Sequence, residues 1–236
     1  MRLMMTLIAE TAQHVDAISA YLANERVNVL GSEQILDEGA TITEHGDAPA
    51  VVERDLSPLR AVWIVDVPSR AAAVELANNA PGGDGTLEVR ESFTAQDLGA
   101  PADPAPPAPA PPPVRKPDTH RYVAFIRSHT EEKLVRPTPE SLVRMDTYCA
   151  PLLESNTMIG GEGLKPSAKG TRVRRAAAQR FVLDGPFSES KELVGGYMIV
   201  QVRTLDEAVD AVRPWLRIHR EGQGVDRATI EVRRLR

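Results

Sequence analysis

The run Asp184-Gly185-Pro186-Phe187-Ser188-Glu189-Ser190-Lys191-Glu192, followed at once by Leu193-Val194-Gly195-Gly196-Tyr197, places three carboxylates and a lysine in a tight turn between two apolar stretches. If this turn borders a cleft, Asp184 and Glu189 can exchange a proton with a bound small molecule while Lys191 stabilises developing negative charge. Such a site suits isomerisation, elimination or lactone chemistry on a small carbonyl compound. A purely architectural reading stands beside it. Asp184 can bond backbone amides of the turn, Gly185-Pro186 can set its geometry, and Lys191 can pair with Glu189 or Glu192.

The elements that must position this turn fall into two halves. Nine prolines lie among alanines between Pro101 and Pro117, a composition that favours extended polyproline II and spans roughly 50 Å at about 3.1 Å per residue. It reads as a linker in preference to a ligand for a proline-reading domain. Residues 1–113 hold 6 Lys+Arg against 17 Asp+Glu, whereas residues 114–236 hold 22 against 16. Opposite fields on two tethered halves favour their docking. They disfavour nucleic-acid binding, because the arginines lack interleaved aromatics and the acidic half competes for them.

Matched landmarks recur in the two halves. In the first, Leu3–Ile8, a helical stretch, Gly31-Ser32-Glu33-Gln34-Ile35-Leu36, Val62–Val67, a second helical stretch and Leu87-Glu88-Val89-Arg90 follow in order. In the second, Tyr122–Ile126, a helical stretch, Gly160-Gly161-Glu162-Gly163-Leu164-Lys165, Tyr197–Val202, a helix and Ile230-Glu231-Val232-Arg233 repeat that order, which points to duplication. Thr138-Pro139-Glu140 caps a helix over about 139–155 with Leu142, Met145, Cys149 and Leu152 on one face. Thr204 to Glu207 has capping-box spacing before a second helix. Arg172–Arg174 and Phe181–Leu183 read as a hairpin whose turn lacks glycine or asparagine. The order is βαββαβ, which puts two helices on one face of a four-stranded sheet and leaves the other face needing cover.

The long run from Asp184 through Glu192, the Gly161-Glu162-Gly163-Leu164-Lys165-Pro166-Ser167 loop, the Gly195-Gly196-Tyr197 strand start and the closing Ile230-Glu231-Val232-Arg233 together resemble the DGPF branch of the YCII-related family. The resemblance covers about 120–234 strongly and 1–98 weakly. It implies an α+β fold of two ferredoxin-like (βαββαβ) units of the dimeric α+β barrel type in tandem. The implied organisation is a degenerate YCII-like domain over 1–98, a Pro/Ala-rich linker over 99–118 and a DGPF-type domain over 119–236. In the first half the signature is eroded to Asp55-Leu56-Ser57-Pro58-Leu59-Arg60, so a site built on it is expected once. Sheet-to-sheet pairing would make the chain an intrachain pseudo-dimer, with a further homodimer as a second level of assembly.

The resemblance also implies site residues. Glu162 and Lys165 are expected beside the turn, with Glu192 and Tyr197 as further ligand contacts. Some members of the broader family are thought to use a first-helix histidine with an aspartate as acid and base. The second half has Leu142-Val143 at that place, whereas His14 stands at a suitable distance before Gly31 in the first half. His129, after the first strand of the second half, is a candidate with no motif behind it.

Other chemistry finds little support. Five histidines and one cysteine, Cys149, show no zinc spacing, and no phosphate-cradling glycine loop occurs, so no metal and no cofactor is implied. The lone cysteine excludes an intrachain disulfide, and Met1 to Ala9 is too short an apolar run for a leader or membrane span. A cytoplasmic protein with no membrane partner is expected. Two functions follow: cofactor-free acid–base chemistry on a small molecule at the barrel mouth, and a non-catalytic binding or regulatory module. The second matches DGPF-type relatives that occur beside extracytoplasmic-function sigma factors in stress responses.

Overall fold

A computed structural model describes residues 1–25, 27–46, 48, 50–99, 114–128, 137–177, 179–187 and 193–236. The prolines from Pro101 to Pro113 lie outside them, as do the site candidates His129, Glu189, Lys191 and Glu192. Among the described residues the fold is α+β, with four α-helices on an 11-stranded antiparallel sheet. The first half contributes β1 (Arg2–Ile8), α1 (Val15–Asn24), β2 (Asn28–His45), β3 (Val51–Glu53), β4 (Leu59–Asp66), α2 (Arg70–Asn79) and β5 (Gly85–Glu91). The second contributes β6 (His120–Ser128), α3 (Pro139–Glu154), β7 (Met158–Gly163), β8 (Thr171–Ala176), β9 (Gln179–Asp184), β10 (Leu193–Val202), α4 (Leu205–Gly222) and β11 (Arg227–Leu235).

The strand order is β7-β10-β6-β11-β2-β4-β1-β5-β8-β9, with β3 paired to β2. Within each half the same order holds: β2-β4-β1-β5 in the first and β7-β10-β6-β11 in the second. The halves are stitched twice. Residues 28–34 of β2 pair with β4 of their own half, while the rest of this 18-residue strand pairs with β11. At the second seam, Leu164 beyond β7 bridges Ser92 beyond β5, and the chain then runs on into β8, which pairs with β5. The sheet thereby closes on itself, and neither β5 nor β11 is left as an unpaired edge.

Period-two alternation explains the burial. In β4, Ala61, Trp63 and Val65 face a core closed by α1 and α2, whereas Val62 and Ile64 face the sheet interior. In β6, Tyr122, Ala124 and Ile126 meet a core closed by α4, and Val123 and Phe125 point inward. The interior is shared: Met4, Ile35, Leu59, Val62 and Ile64 of the first half pack with Val123, Phe125, Leu164, Val194, Tyr197 and Leu235 of the second. Strands covered on both faces need near-continuous apolar runs, which is what the sequence carries.

The local signals are realised. Thr138 caps α3 through Ser141 N at 3.2 Å, and Thr204 caps α4 through Glu207 N at 3.1 Å. Met145, Cys149 and Leu152 of α3 lean on the second core only partly buried. The β8–β9 hairpin pairs Arg172 with Leu183 and Arg174 with Phe181, and its turn places Ala177 at φ 49° in place of a glycine.

The last strand of each half's repeated order, β5 and β11, carries a buried Glu-x-Arg pair at a seam. Arg90 Nη1 donates to Glu88 Oε1 at 3.1 Å, and Arg172 Nε donates to Glu88 Oε2 at 2.8 Å. Arg233 Nη1 donates to Glu231 Oε1 at 2.9 Å, and Arg127 donates to Glu231 Oε2. Ser57, left from the eroded signature, adds its N–H and hydroxyl to Glu231 Oε1 at 3.1 and 2.8 Å. Each arginine also reaches backbone oxygens of the other half: Arg90 to Lys165, and Arg233 to Leu36 and Ser57.

Removing one partner of such a pair leaves a buried charge uncompensated, at a cost of about 3–5 kcal/mol. Glu231→Gln is therefore expected to lower unfolding free energy in urea by about that amount. Glu38→Gln, which breaks a half-exposed pair with Arg234, is expected to cost less than about 1 kcal/mol.

Candidate functional site

The seam between β5 and β7 brings polar groups of both halves together. Glu162, on β7, stands directly across from Tyr197 on β10, so the two side chains share one face of the sheet. Glu162 Oε1 accepts from Arg2 Nη1 of the first half, and Glu162 Oε2 accepts from Ser92 Oγ, each at 2.5 Å. Tyr197 is buried, which pushes its phenol well above the ordinary value, and the Glu162 carboxylate beside it adds to the shift. Its hydrogen bond to Glu162 holds the Arg2 guanidinium above its usual range. The constellation thus offers a carboxylate, a phenol that stays protonated near neutral pH, a hydroxyl and a guanidinium half open to solvent.

Lys165 lies at the same seam but turns to other partners. Its Nζ is 3.2 Å from Glu91 Oε2 and 3.0 Å from Asp97 Oδ2. Burial opposes its charge, but these two carboxylates outweigh it and raise the amine's pKa. Asp97 is held down to about 2 by the Thr94 amide, by Lys165 and by the Thr94 hydroxyl.

The signature turn sits two strands farther out. Asp184 accepts from the Thr171 hydroxyl at 2.7 Å, and its side chain is exposed. Gly185 donates its N–H to Gly170 O at 3.1 Å, and a β-carbon there would stand 1.9 Å from Ser167 O. Phe187 is buried under the Arg172 guanidinium, 4.2 Å from ring centre, and donates its N–H to Ser167 Oγ at 3.1 Å. The turn thereby clamps the loop 165–170, whose Lys165 carbonyl is gripped by Arg90.

His14 is the N-cap residue of α1, one position before the helix, and packs against Gly82, Gly83 and the region of Arg175. Arg175 is at the hairpin's far end from Thr171 and Asp184, about 13 Å along the strand. Of the sequence candidates, Glu162 and Tyr197 meet directly, Lys165 is their neighbour along the loop, and Asp184 and His14 stand apart. Arg2, Ser92 and Thr171 were not singled out from sequence. Arg2 has a signal, since it begins β1 as Arg121 stands second in β6, and Arg121 pairs with Glu33 as Arg2 pairs with Glu162. Among the described residues, no group of three or more His, Cys, Asp or Glu side chains is placed to hold a metal ion, and no helix is long and apolar enough to cross a membrane.

The family comparison falls on the second half. The YCII-related domain matches residues 123–215, from inside β6 to near the middle of α4, and implies the dimeric α+β barrel type for that half. An uncharacterized protein of Rhizobium meliloti (strain 1021) is 38% identical over 50 residues, which are 21% of this chain and 40% of that protein. The match thus spans less than half of the relative's length.

Two outcomes follow from this geometry. Gly185→Ala drives a β-carbon into backbone and is expected to cost about 1–3 kcal/mol or more in thermal unfolding. Asp97, a third exposed, gives stability that is full above its ordinary pKa of 3.8 and lost as pH falls through about 2. Asp97→Asn should cost under about 1 kcal/mol in urea at pH 7, with the difference from wild type vanishing by the lower pH.

Proposed function

We propose that this chain is a tandem, YCII-related intrachain pseudo-dimer that binds a small polar metabolite where the halves meet and acts on it by cofactor-free acid–base chemistry. The repeated strand order and the equivalent Arg2–Glu162 and Arg121–Glu33 pairs support two ferredoxin-like units derived by duplication. One observation carries the functional reading: a carboxylate of the second half, Glu162, is held by Arg2 and Ser92 of the first beside the buried Tyr197. At the other seam Glu33 stands opposite Val62 and Ile35 opposite Leu235, in the positions of Tyr197 and Ser92, so among the described residues the polar set is not repeated there. In this reading Glu162 exchanges a proton with the bound molecule, Tyr197 donates to its oxygen, and Arg2 stabilises the negative charge that develops.

A second reading is binding without turnover. It is favoured by the engagement of both Glu162 oxygens with protein donors, which leaves the carboxylate little freedom to act as a base.

A thermal-shift screen of hydroxy acids, lactones and phenolics tests both. A ligand that stabilises the full chain by mass action is expected to lose at least tenfold in affinity with Tyr197→Phe, whereas Asp184→Asn should lower the melting temperature and spare affinity. Glu162→Gln should abolish turnover if Glu162 is the base; retained binding with no turnover by the wild type selects the second reading. No stabilisation by any compound removes both. The pseudo-dimer is tested separately. A fragment of residues 118–236 would expose Val123, Phe125, Leu164, Val194 and Tyr197 and should self-associate or melt well below the full chain; a monomeric fragment of equal stability would refute the pairing.

A further inference from the structure

The seam between β11 and β2 carries a cavity of about 300 Å³, lined by Leu36, Arg115, Thr119, His120, Arg121, Gln201, Arg234, Leu235 and Arg236. We propose that this cavity is a binding site for a small multiply charged oxyanion, a phosphoryl or polycarboxylate compound, distinct from the Glu162–Tyr197 site.

Four arginines line the cavity, and carboxylates, Glu33 and Glu38, pair with two of them. Arg121 pairs with Glu33, and Arg234 Nη1 donates to Glu38 Oε2 at 2.7 Å. Arg121 Nη2 also donates to the Arg236 backbone oxygen at 3.1 Å, and Arg236 Nη1 donates to Gln34 Oε1 at 3.0 Å. Arg234 Nη2 is 3.0 Å from His120 Nδ1 and 3.4 Å from its Nε2, so the imidazole and the guanidinium lie together in the wall. Arg115 is exposed at the rim and has no hydrogen-bond or ion-pair partner among the described residues. Gln201, buried in the wall, uses its amide N–H groups on Val114 O at 2.7 Å and Asn156 O at 2.8 Å, which fixes the segment that carries Arg115.

The two seams have diverged in sign. Where the β5 end carries Glu91, the β11 end carries Arg234; where Phe93 follows β5, Arg236 follows β11, each donating its backbone N–H to the second strand of the other half. The β5 seam gathers Glu91, Asp97 and Glu162, whereas the β11 seam gathers arginines around open volume. Guanidinium groups bind phosphate and carboxylate oxygens through paired N–H donors, and a cavity of this size holds a small metabolite.

The test is calorimetric titration of the full chain with inorganic phosphate and, separately, citrate at low ionic strength. Saturable one-to-one binding of either is expected; the tighter of the two identifies phosphoryl or polycarboxylate chemistry. Arg115→Gln should weaken it about tenfold, the scale of one charged hydrogen bond, with an unchanged melting temperature in the absence of anion. Arg213→Gln removes the same charge from the exposed face of α4 and should leave the affinity unchanged. Absence of binding by both anions at millimolar concentration, or equal weakening by Arg115→Gln and Arg213→Gln, overturns the site in favour of a diffuse surface field. Neither result depends on the Glu162–Tyr197 reading, whose variants are not used.

Discussion

The buried Glu-x-Arg pair on each of β5 and β11 is the interaction on which the architecture turns. A four-stranded sheet with helices on one face has a bare second face and a bare edge, and each half of this chain supplies what the other lacks. Val123 and Phe125 cover Met4 and Ile64, while β2 and β8 complete the edges of β11 and β5. At those junctions Glu88 with Arg90, and Glu231 with Arg233, are sealed almost completely from solvent. Two ions can be tolerated there because their remaining hydrogen-bonding capacity is spent on backbone oxygens of the other half. A one-residue slip of β8 on β5 would turn Arg172 away from Glu88 and strand the pair, so the charges fix register as well as contact.

Equivalent frames have been given unequal chemistry. Both seams keep an arginine at the start of a half's first strand paired with a glutamate on the other half's second strand. Around that shared frame, one seam adds Tyr197, Ser92 and the Lys165–Asp97 pair, and the other adds arginines around a cavity. Buried Val62 and Leu235 at the second seam remove the partners that a proton-transfer site would need there.

What was legible in the sequence was local. Thr138 and Thr204 announced helix starts, the apolar periodicity gave α3 and α4, and the Arg172–Leu183 hairpin followed from two short β-rich runs. The shared interior followed from strands too apolar to leave one face wet. The seams were not legible, because Arg2 meets Glu162 across 160 residues and Arg172 meets Glu88 across 84. The extension of β2 to His45 was also hidden, since Asp37-Glu38-Gly39 looks like a loop. It is a strand because Gly39 lets the backbone of β11 approach: a β-carbon there would lie 2.3 Å from Val232 O.

The described part of the signature turn shows how a motif can act through what it positions. Three carboxylates and a lysine near a glycine suggest proton transfer, yet the described part of this turn spends its groups on a loop. Gly185 makes room for Ser167 O, Phe187 lies under Arg172 and Asp184 holds Thr171. Arg172 in turn bonds Glu88, Glu88 holds Arg90, and Arg90 grips the carbonyl of Lys165. A change in the turn would therefore reach the Glu162 seam through a chain of buried charges. A motif can be tightly constrained by geometry without touching a ligand, and its chemical influence then travels through the residues it positions.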